Sequence, residues 1–320
     1  MTTAGVNDAV RRRQQRRNRA QGLLLLSGMV LTLALCAWLI FGGDGVWWVV
    51  LLGIGTLALR PRMRPDWVLR MYRARPLPAS AAPDLHRLVV MLARRAGLPR
   101  PPALYYVPSS MFNAFAVGRR SESAIGVTDG LLRGLTGRQL TGVLAHEMSH
   151  IRSDDLWIMT LADTVGRLTH GVAYAGLALV LLGLPMLASG AAVPLLISAV
   201  LIAIPTVVTL LQLALSRARE YDADLEAVTL TNDPSGLASA LRTLEAREGR
   251  IWERILVPHR RTPDPLLLRT HPPTDERVRR LLALSPPDAE PVGFRGEPTP
   301  VAFLVPVTDR PRLRVPGIWR

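Results

Sequence analysis

Histidines four residues apart on a helix project from one face, and Ala145-His146-Glu147-Met148-Ser149-His150 supplies such a pair. Two imidazoles at that spacing can reach one zinc ion, and the HExxH pattern is more specific than either histidine alone. Glu147, one step round the helix from His146, can touch a metal-bound water without ligating. Zinc needs a third protein ligand and a fourth position open to water. The run Ser216-Arg217-Ala218-Arg219-Glu220-Tyr221-Asp222-Ala223-Asp224 places Glu220 and Asp224 on one helical face. One of these carboxylates can bind metal while the other holds a ligand imidazole by its free N–H. Spacing alone does not choose between them, and a solvated, salt-bridged face is the plain alternative for both.

HExxH, then a long apolar hairpin, then SRxREYxAD at 216–224 and THPPTxxR at 270–277, in that order, resembles the HtpX-type membrane metallopeptidases, relatives of the CAAX prenyl proteases. The resemblance runs from about Pro83 to Leu284 and includes the order of the apolar segments. It implies one Zn²⁺ per chain, held by His146, His150 and Glu220. It also implies that Asp224 supports the metal ligands from behind and that Asp155, five residues past His150, is a structural carboxylate. Asn113-Ala114-Phe115-Ala116 resembles the edge strand with which thermolysin-like zinc peptidases bind substrate backbone, a form of strand addition. An ordinary turn is the alternative for Asn113. His271, opening the segment His271-Pro272-Pro273-Thr274, could donate to an oxyanion or serve only as a cap and hinge, and Arg277 reads as a structural ion-pair partner. Val117 stands where a threonine is often found, and the Pro-rich tail has no counterpart.

The elements that must position these groups can be read from periodicity. Apolar residues at Leu85, Leu88, Val89, Leu92 and Ala96 predict a helix over Pro83 to Ala96, closed by Gly97. Ala103 to Val107, Ala114 to Val117 and Ala124 to Thr128 are β-prone, with a hairpin-like interruption at Gly118 to Ser123. Thr136 with Gln139 three residues on forms a capping-box pattern ahead of the HExxH helix. Asn232-Asp233-Pro234 breaks the helix carrying Glu220, and helices follow over roughly Gly236 to Arg247 and Thr270 to Ala283. The expected fold class is mainly α with a small β-sheet, an α+β zincin-like protease domain, plus about four transmembrane helices.

The apolar stretches set the organisation. Gly22 to Leu59 carries one charge, Asp44, and Gly171 to Leu215 carries none. Each is long enough for two spans of ~20 residues, broken at Gly42-Gly43-Asp44-Gly45 and near Ser189-Gly190, with Val46 to Leu59 the shortest member. The chain divides into a basic N-terminus (1–21), a membrane hairpin (22–59), a first protease segment (60–170), a second hairpin (171–215), a second protease segment (216–284) and a Pro-rich tail (285–320). The net charge of +14 comes with 39 basic residues, all arginine. Six lie in Arg11 to Arg19 and six in Arg60 to Arg75, flanking the first hairpin. That placement marks cytoplasmic flanks rather than a nucleic-acid surface, so no nucleic-acid partner is expected. Both termini and the protease segments then face the cytoplasm, in the inner membrane of the cell. The N-terminal apolar run is too long for a cleaved signal and lacks a small-x-small site. The lone Cys36 permits no intramolecular disulfide.

These parts predict a peptidase whose zinc polarises a carbonyl and activates water, with Glu147 moving the proton. The favoured role is quality control, cutting cytosolic parts of misfolded or membrane proteins. A maturation peptidase with few substrates is the alternative, and a non-enzymatic scaffold conflicts with the intact HExxH and Glu220. A prenyl-peptide protease would need more spans, and a sensor peptidase a larger external domain.

Overall fold

The computed structural model describes residues 8–59, 65–188, 195–255, 273–284, 313–314 and 318–319. Two long helices open the chain, α1 (Asp8–Phe41) and α2 (Gly43–Leu59), parted at Gly42, whose φ of 64° lies in the left-handed region that glycine enters freely. The basic run Arg11 to Arg19 is therefore the first part of α1, continuous with the apolar part. Among the described residues, three helical stretches are long and apolar enough to cross a membrane: Arg11–Phe41, Asp155–Leu184 and Ile197–Thr231. α2 has 17 residues, about 25 Å against a hydrocarbon core of ~30 Å, so the four expected spans reduce to three by this measure and one short helix.

The soluble part begins with α3 (Pro65–Met71) and a small mixed sheet. Its strands are β1 (Arg75–Pro76), β2 (Ala103–Val107), β3 (Ala114–Arg119) and β4 (Glu122–Thr128), in the order β1-β2-β4-β3. β2 and β4 run parallel; β3 and β4 form the hairpin, with Ala114 opposite Val127 and Phe115 opposite Gly126. Gly118 at the turn has φ 95°, and a side chain there would strike the Glu122 carbonyl. β3 lies at the edge of the sheet. Its alternation is committed on both faces: Ala114 and Ala116 enter the main core, while Phe115 and Val117 pack with Leu69 and Ala124.

Between β1 and β2, helix α4 (Pro83–Arg95) buries Leu85, Leu88, Val89, Leu92 and Ala93, starts at a proline and ends before Gly97 at φ 64°. A short α5 (Asp129–Gly134) leads to α6 (Gly137–Arg152), where the Thr136–Gln139 capping box closes both ways. Leu140, Leu144, Met148 and Ile151 of α6 are fully buried, each worth ~1.5–3 kcal/mol of transfer. Asp154, at φ 51°, turns the chain sharply into α7 (Asp155–Ala188). After 189–194, α8 (Leu195–Thr231) runs unbroken from the apolar hairpin into the soluble core, carrying Glu220 and Asp224 across the expected boundary at 215/216. α9 (Pro234–Ile255) extends beyond the expected Arg247, and α10 (Thr274–Leu282) packs against α9 and α8. Most of the Pro-rich tail lies outside the described residues, apart from the paired strands Leu313–Arg314 and Ile318–Trp319.

Candidate metal centre

α6 presents His146 and His150 inward, and α8 brings Glu220 opposite them. One ligand atom from each of the three lies within 4.8 Å of the others. His146 Nε2 is 3.4 Å from Glu220 Oε2, His150 Nε2 is 3.7 Å from Glu220 Oε1, and the two Nε2 atoms are 3.2 Å apart. The imidazole planes meet edge to face at 89°.

Each ring is held from behind. His150 Nδ1 lies 2.8 Å from Asp155 Oδ2, because the turn at Asp154 folds the start of α7 back onto α6. His146 Nδ1 is 3.1 Å from Asp224 Oδ1, at an angle short of a well-formed hydrogen bond. Asp224 thus approaches the outer nitrogen and Glu220 the inner ones, which separates the two carboxylates that spacing left equivalent. In the neutral rings, with Nδ1–H turned to a carboxylate, each Nε2 carries a lone pair that a metal can take. Two such lone pairs and a carboxylate converge in a buried pocket, an arrangement that calls for positive charge between them, a metal ion or, without one, a proton on His146. Two imidazoles and one carboxylate form a donor set suited to zinc, so the residues fit the metal.

The electrostatics agree. Burial pulls His146 toward the neutral form, yet Asp224 and Glu220 outweigh it and raise its pKa to about 10. Burial also opposes protonation of His150, and the bond to Asp155 again raises it. Burial raises Asp224, but Arg277 overcomes this and holds it at about 2. The pocket attracts positive charge.

Two arginines complete the arrangement: Arg277 makes the structural ion pair expected of it, with partners the local sequence did not name, and the role of Arg219 was not legible there. Arg277 of α10 is buried and grips Asp224 with both arms of its guanidinium, Nε to Oδ2 at 2.7 Å and Nη2 to Oδ1 at 2.6 Å, while Nη1 is 3.1 Å from Glu220 Oε2. Arg219 donates to Asp155 Oδ1 at 2.6 Å and to Asp222 Oδ2 at 3.1 Å. Each candidate histidine ligand is therefore backed by a carboxylate that an arginine fixes in turn. Those partners lie 53 and 64 positions away in sequence, so no periodicity within a helix announces them.

Glu147 is half-buried, and its charge helps stabilise the Arg277 cation. Asn113 is fixed through its main chain: its N–H donates to Thr128 Oγ1 at 3.0 Å and its carbonyl accepts from Thr128 N at 3.0 Å. Ala114 is buried in the core, and the Phe115 ring covers Gly126 and packs on Tyr72 at 4.9 Å. The side chains of β3 are occupied with packing, and among the described residues no strand pairs with its outer edge. His271 lies outside the described residues.

A HExxH helix facing a carboxylate on a membrane-length helix, beside a small sheet with a free edge, defines a membrane zincin-like protease. The chain belongs to peptidase family M48, which matches residues 79–285, and is a membrane metallopeptidase of the HtpX type. Proteins described as protease HtpX homologues are similar to it. That of Persephonella marina is 37% identical over 233 residues, covering 68% of this chain and 80% of the relative. That of Pyrococcus furiosus is 39% identical over 226 residues, covering 67% and 78%. That of Kineococcus radiotolerans is 36% identical over 279 residues, covering 82% and 92%. Among solved structures, S. mikatae Ste24p is similar at a TM-score of 0.45 and 22% identity, covering 84% of this chain and 66% of that one.

Proposed function

We propose that the chain is a zinc-dependent endopeptidase in which His146, His150 and Glu220 hold the metal and Glu147 is the general base. The observation that carries this reading is the convergence of two Nε2 atoms and the Glu220 carboxylate within 4.8 Å in a buried, cation-attracting pocket. Zinc, when bound there, supplies the Lewis acid that polarises a scissile carbonyl and acidifies water. Glu147 takes the proton of the attacking water and returns it to the leaving nitrogen. Asp155 and Asp224 keep the imidazoles turned with Nε2 toward the metal. The outer edge of β3, from Asn113 through Phe115, pairs with an extended substrate through main-chain groups. His271 is the proposed oxyanion donor.

Because the side chains of β3 face the two cores, recognition rests on backbone, which favours broad sequence preference. The unbroken course of α8 puts Glu220 five residues past Leu215, about 7.5 Å along the axis. The site then lies at the face of an inner membrane, on the cytoplasmic side given the arginines flanking α1 and α2. Its substrates are cytosolic segments of misfolded or membrane proteins, a quality-control role. The test is metal content with activity: purified protein should hold about one zinc per chain. His146→Ala, His150→Ala and Glu220→Ala should lose it, whereas Glu147→Gln should keep zinc and lose cleavage. Full zinc and activity in Glu220→Ala would overturn the ligand set. Cleavage of one partner alone, with unfolded proteins left intact, would replace quality control with a dedicated maturation role.

A further inference from the structure

α7 carries a row of polar residues where its neighbours are apolar. Asp163, Arg167, His170 and Tyr174 recur at intervals of four, three and four, the spacing of a single helical face. The opposite face, with Ala162, Val165 and Thr169, is buried against α1 and α8. The polar row points away from the bundle: the Asp163 and Arg167 side chains are 51% and 71% exposed, His170 is exposed, and Tyr174 is 71% exposed.

Its depth follows from the packing. A Cβ on Gly166 would lie 3.1 Å from the Gln212 side chain, and one on Gly176 would lie 2.8 Å from Leu201 Cβ. Arg167 is thus level with about Leu211 and Gln212 of α8. α1 reaches the same level at Gly28, whose Cβ would lie 3.6 Å from Leu211. The nearest charges on those helices are Arg217 and Arg19, about 7.5 Å and about 13 Å back toward the metal centre. His170 and Tyr174 lie roughly 4.5 Å and 10 Å deeper still. Ionisable groups at such depth normally face a bundle interior, a partner or water, because lipid tails satisfy none of them. Asp163 and Arg167 bond each other at 2.7 Å, and His170 Nδ1 bonds the Gly166 carbonyl at 2.8 Å. These local bonds reduce the cost but leave the row exposed.

A second copy does not suit this face. A two-fold axis along the membrane normal sets identical residues at equal depth, with Asp163 against Asp163 and Arg167 against Arg167. A substrate does suit it. α7 begins at Asp155, the residue holding His150, and the helix approaches β3, the proposed substrate edge. The row therefore runs from the metal centre into the bilayer.

We propose that this face of α7 docks the membrane-spanning segment of a substrate, selecting spans with a polar or helix-broken position. The inference rests on the peptidase reading above. Orphaned or misfolded spans expose such positions, while well-packed proteins hide them. Asp163, Arg167, His170 and Tyr174 together offer donors and acceptors to any such group, and the chain beyond the span is led to the β3 edge.

The test uses full-length enzyme with zinc in liposomes and two substrates. One is a soluble unfolded protein, the other a single-span protein with a flexible cytosolic segment and one asparagine at mid-span. Asp163→Leu, Arg167→Leu and His170→Leu combined should leave cleavage of the soluble protein unchanged. Cleavage of the asparagine span should fall about tenfold, the scale of one interhelical hydrogen bond. Equal cleavage of the span protein by both enzymes, or parallel loss on both substrates, overturns the proposal. A wild type inactive on both substrates fails the peptidase reading instead, and docking is then read by cross-linking. With His170→Cys in a Cys36→Ser, Glu147→Gln background, a cysteine on the substrate span should cross-link to position 170. Cross-links between copies of the enzyme, or none to substrate, overturn the proposal.

Discussion

Replacing Arg277 by methionine strikes a buried cation held by two carboxylates. Its guanidinium makes two bonds of 2.6 and 2.7 Å to Asp224 and approaches Glu220 at 3.1 Å, all in a buried setting. Methionine fills similar volume, so the loss is chiefly electrostatic: two buried carboxylates lose their cation. Breaking one side of a buried pair costs ~3–5 kcal/mol. A second route points the same way, since Arg277 lowers Asp224 from 3.8 to about 2, a stabilisation on the order of 2–3 kcal/mol. A depressed carboxylate stabilises above its unfolded pKa, and that stabilisation is lost only as pH falls from near 4 through about 2. The assay is thermal unfolding of metal-free protein in detergent. At pH 7 Arg277→Met should lower Tm by roughly 10 °C, on a scale of ~2–4 °C per kcal/mol. The deficit should shrink toward pH 4, as the stranded Asp224 takes up a proton in the variant. Asp224→Asn alone should also destabilise, and the double variant should lose clearly less than the two losses added. A variant within a degree of wild type, or strict additivity, would refute the claim that this pair is a coupled, net-stabilising unit.

Metal removal has a pH signature of its own. His146 is raised to about 10 in the metal-free pocket, and a raised histidine stabilises fully below its unfolded value of ~6.5. Chelator-treated protein should therefore lose Tm progressively from near pH 6.5 to 10, and zinc-loaded protein should not; identical profiles would remove His146 from the metal site. The orientation is tested by reporter fusions: Arg75 and Arg247 should read cytoplasmic and Asp44 external. A cytoplasmic reading at Asp44 would show that α2 does not cross.

Local features carried well from sequence to structure, and long-range ones did not. The α4 face, the Thr136 capping box and the three β-pieces each depend on neighbours within about five residues, and each stands within a residue or two of its expected place. The boundary at 215/216 falls where composition changes, while helical spacing runs on through Ala218, Tyr221, Leu225 and Val228, as α8 does, because a helix can continue when its lining shifts from lipid to core. α9 likewise continues past Arg247. In the site, HExxH was legible because one helix supplies both histidines. Spacing left Glu220 and Asp224 equivalent and only the family resemblance favoured Glu220, since the physical choice depends on which nitrogen each faces. Arg219 and Arg277 were quoted within motifs, but their partners lie on other elements, and only the fold brings them together.

The geometry of the centre depends on how closely α6 can approach its neighbours, and one glycine tests this. A Cβ on Gly142 would lie 3.0 Å from Leu237 Cα and 3.1 Å from its N, both backbone atoms of α9. Gly142 sits one turn before His146 on the same helix. Two effects compete in Gly142→Ala. Alanine is the better helix former by ~1 kcal/mol, while crowding a packed contact costs ~1–3 kcal/mol. Crowding wins if α9 cannot retreat, and α9 is clamped. Arg138 of α6 holds Asp233 through bonds of 2.5 and 2.7 Å, and Asp233 in turn accepts from Gly236 N at 2.9 Å. The strain should then pass to α6, moving His146 relative to Glu220, which α8 fixes independently. Gly142→Ala should therefore lower stability by about 1 kcal/mol and weaken zinc roughly tenfold, the scale seen when support around metal ligands is disturbed. Chelator competition and thermal unfolding on the same preparation decide it. A Gly142→Ala protein that is more stable and binds zinc as tightly as wild type would mean that α9 yields, and that the α6–α9 contact does not set the position of His146.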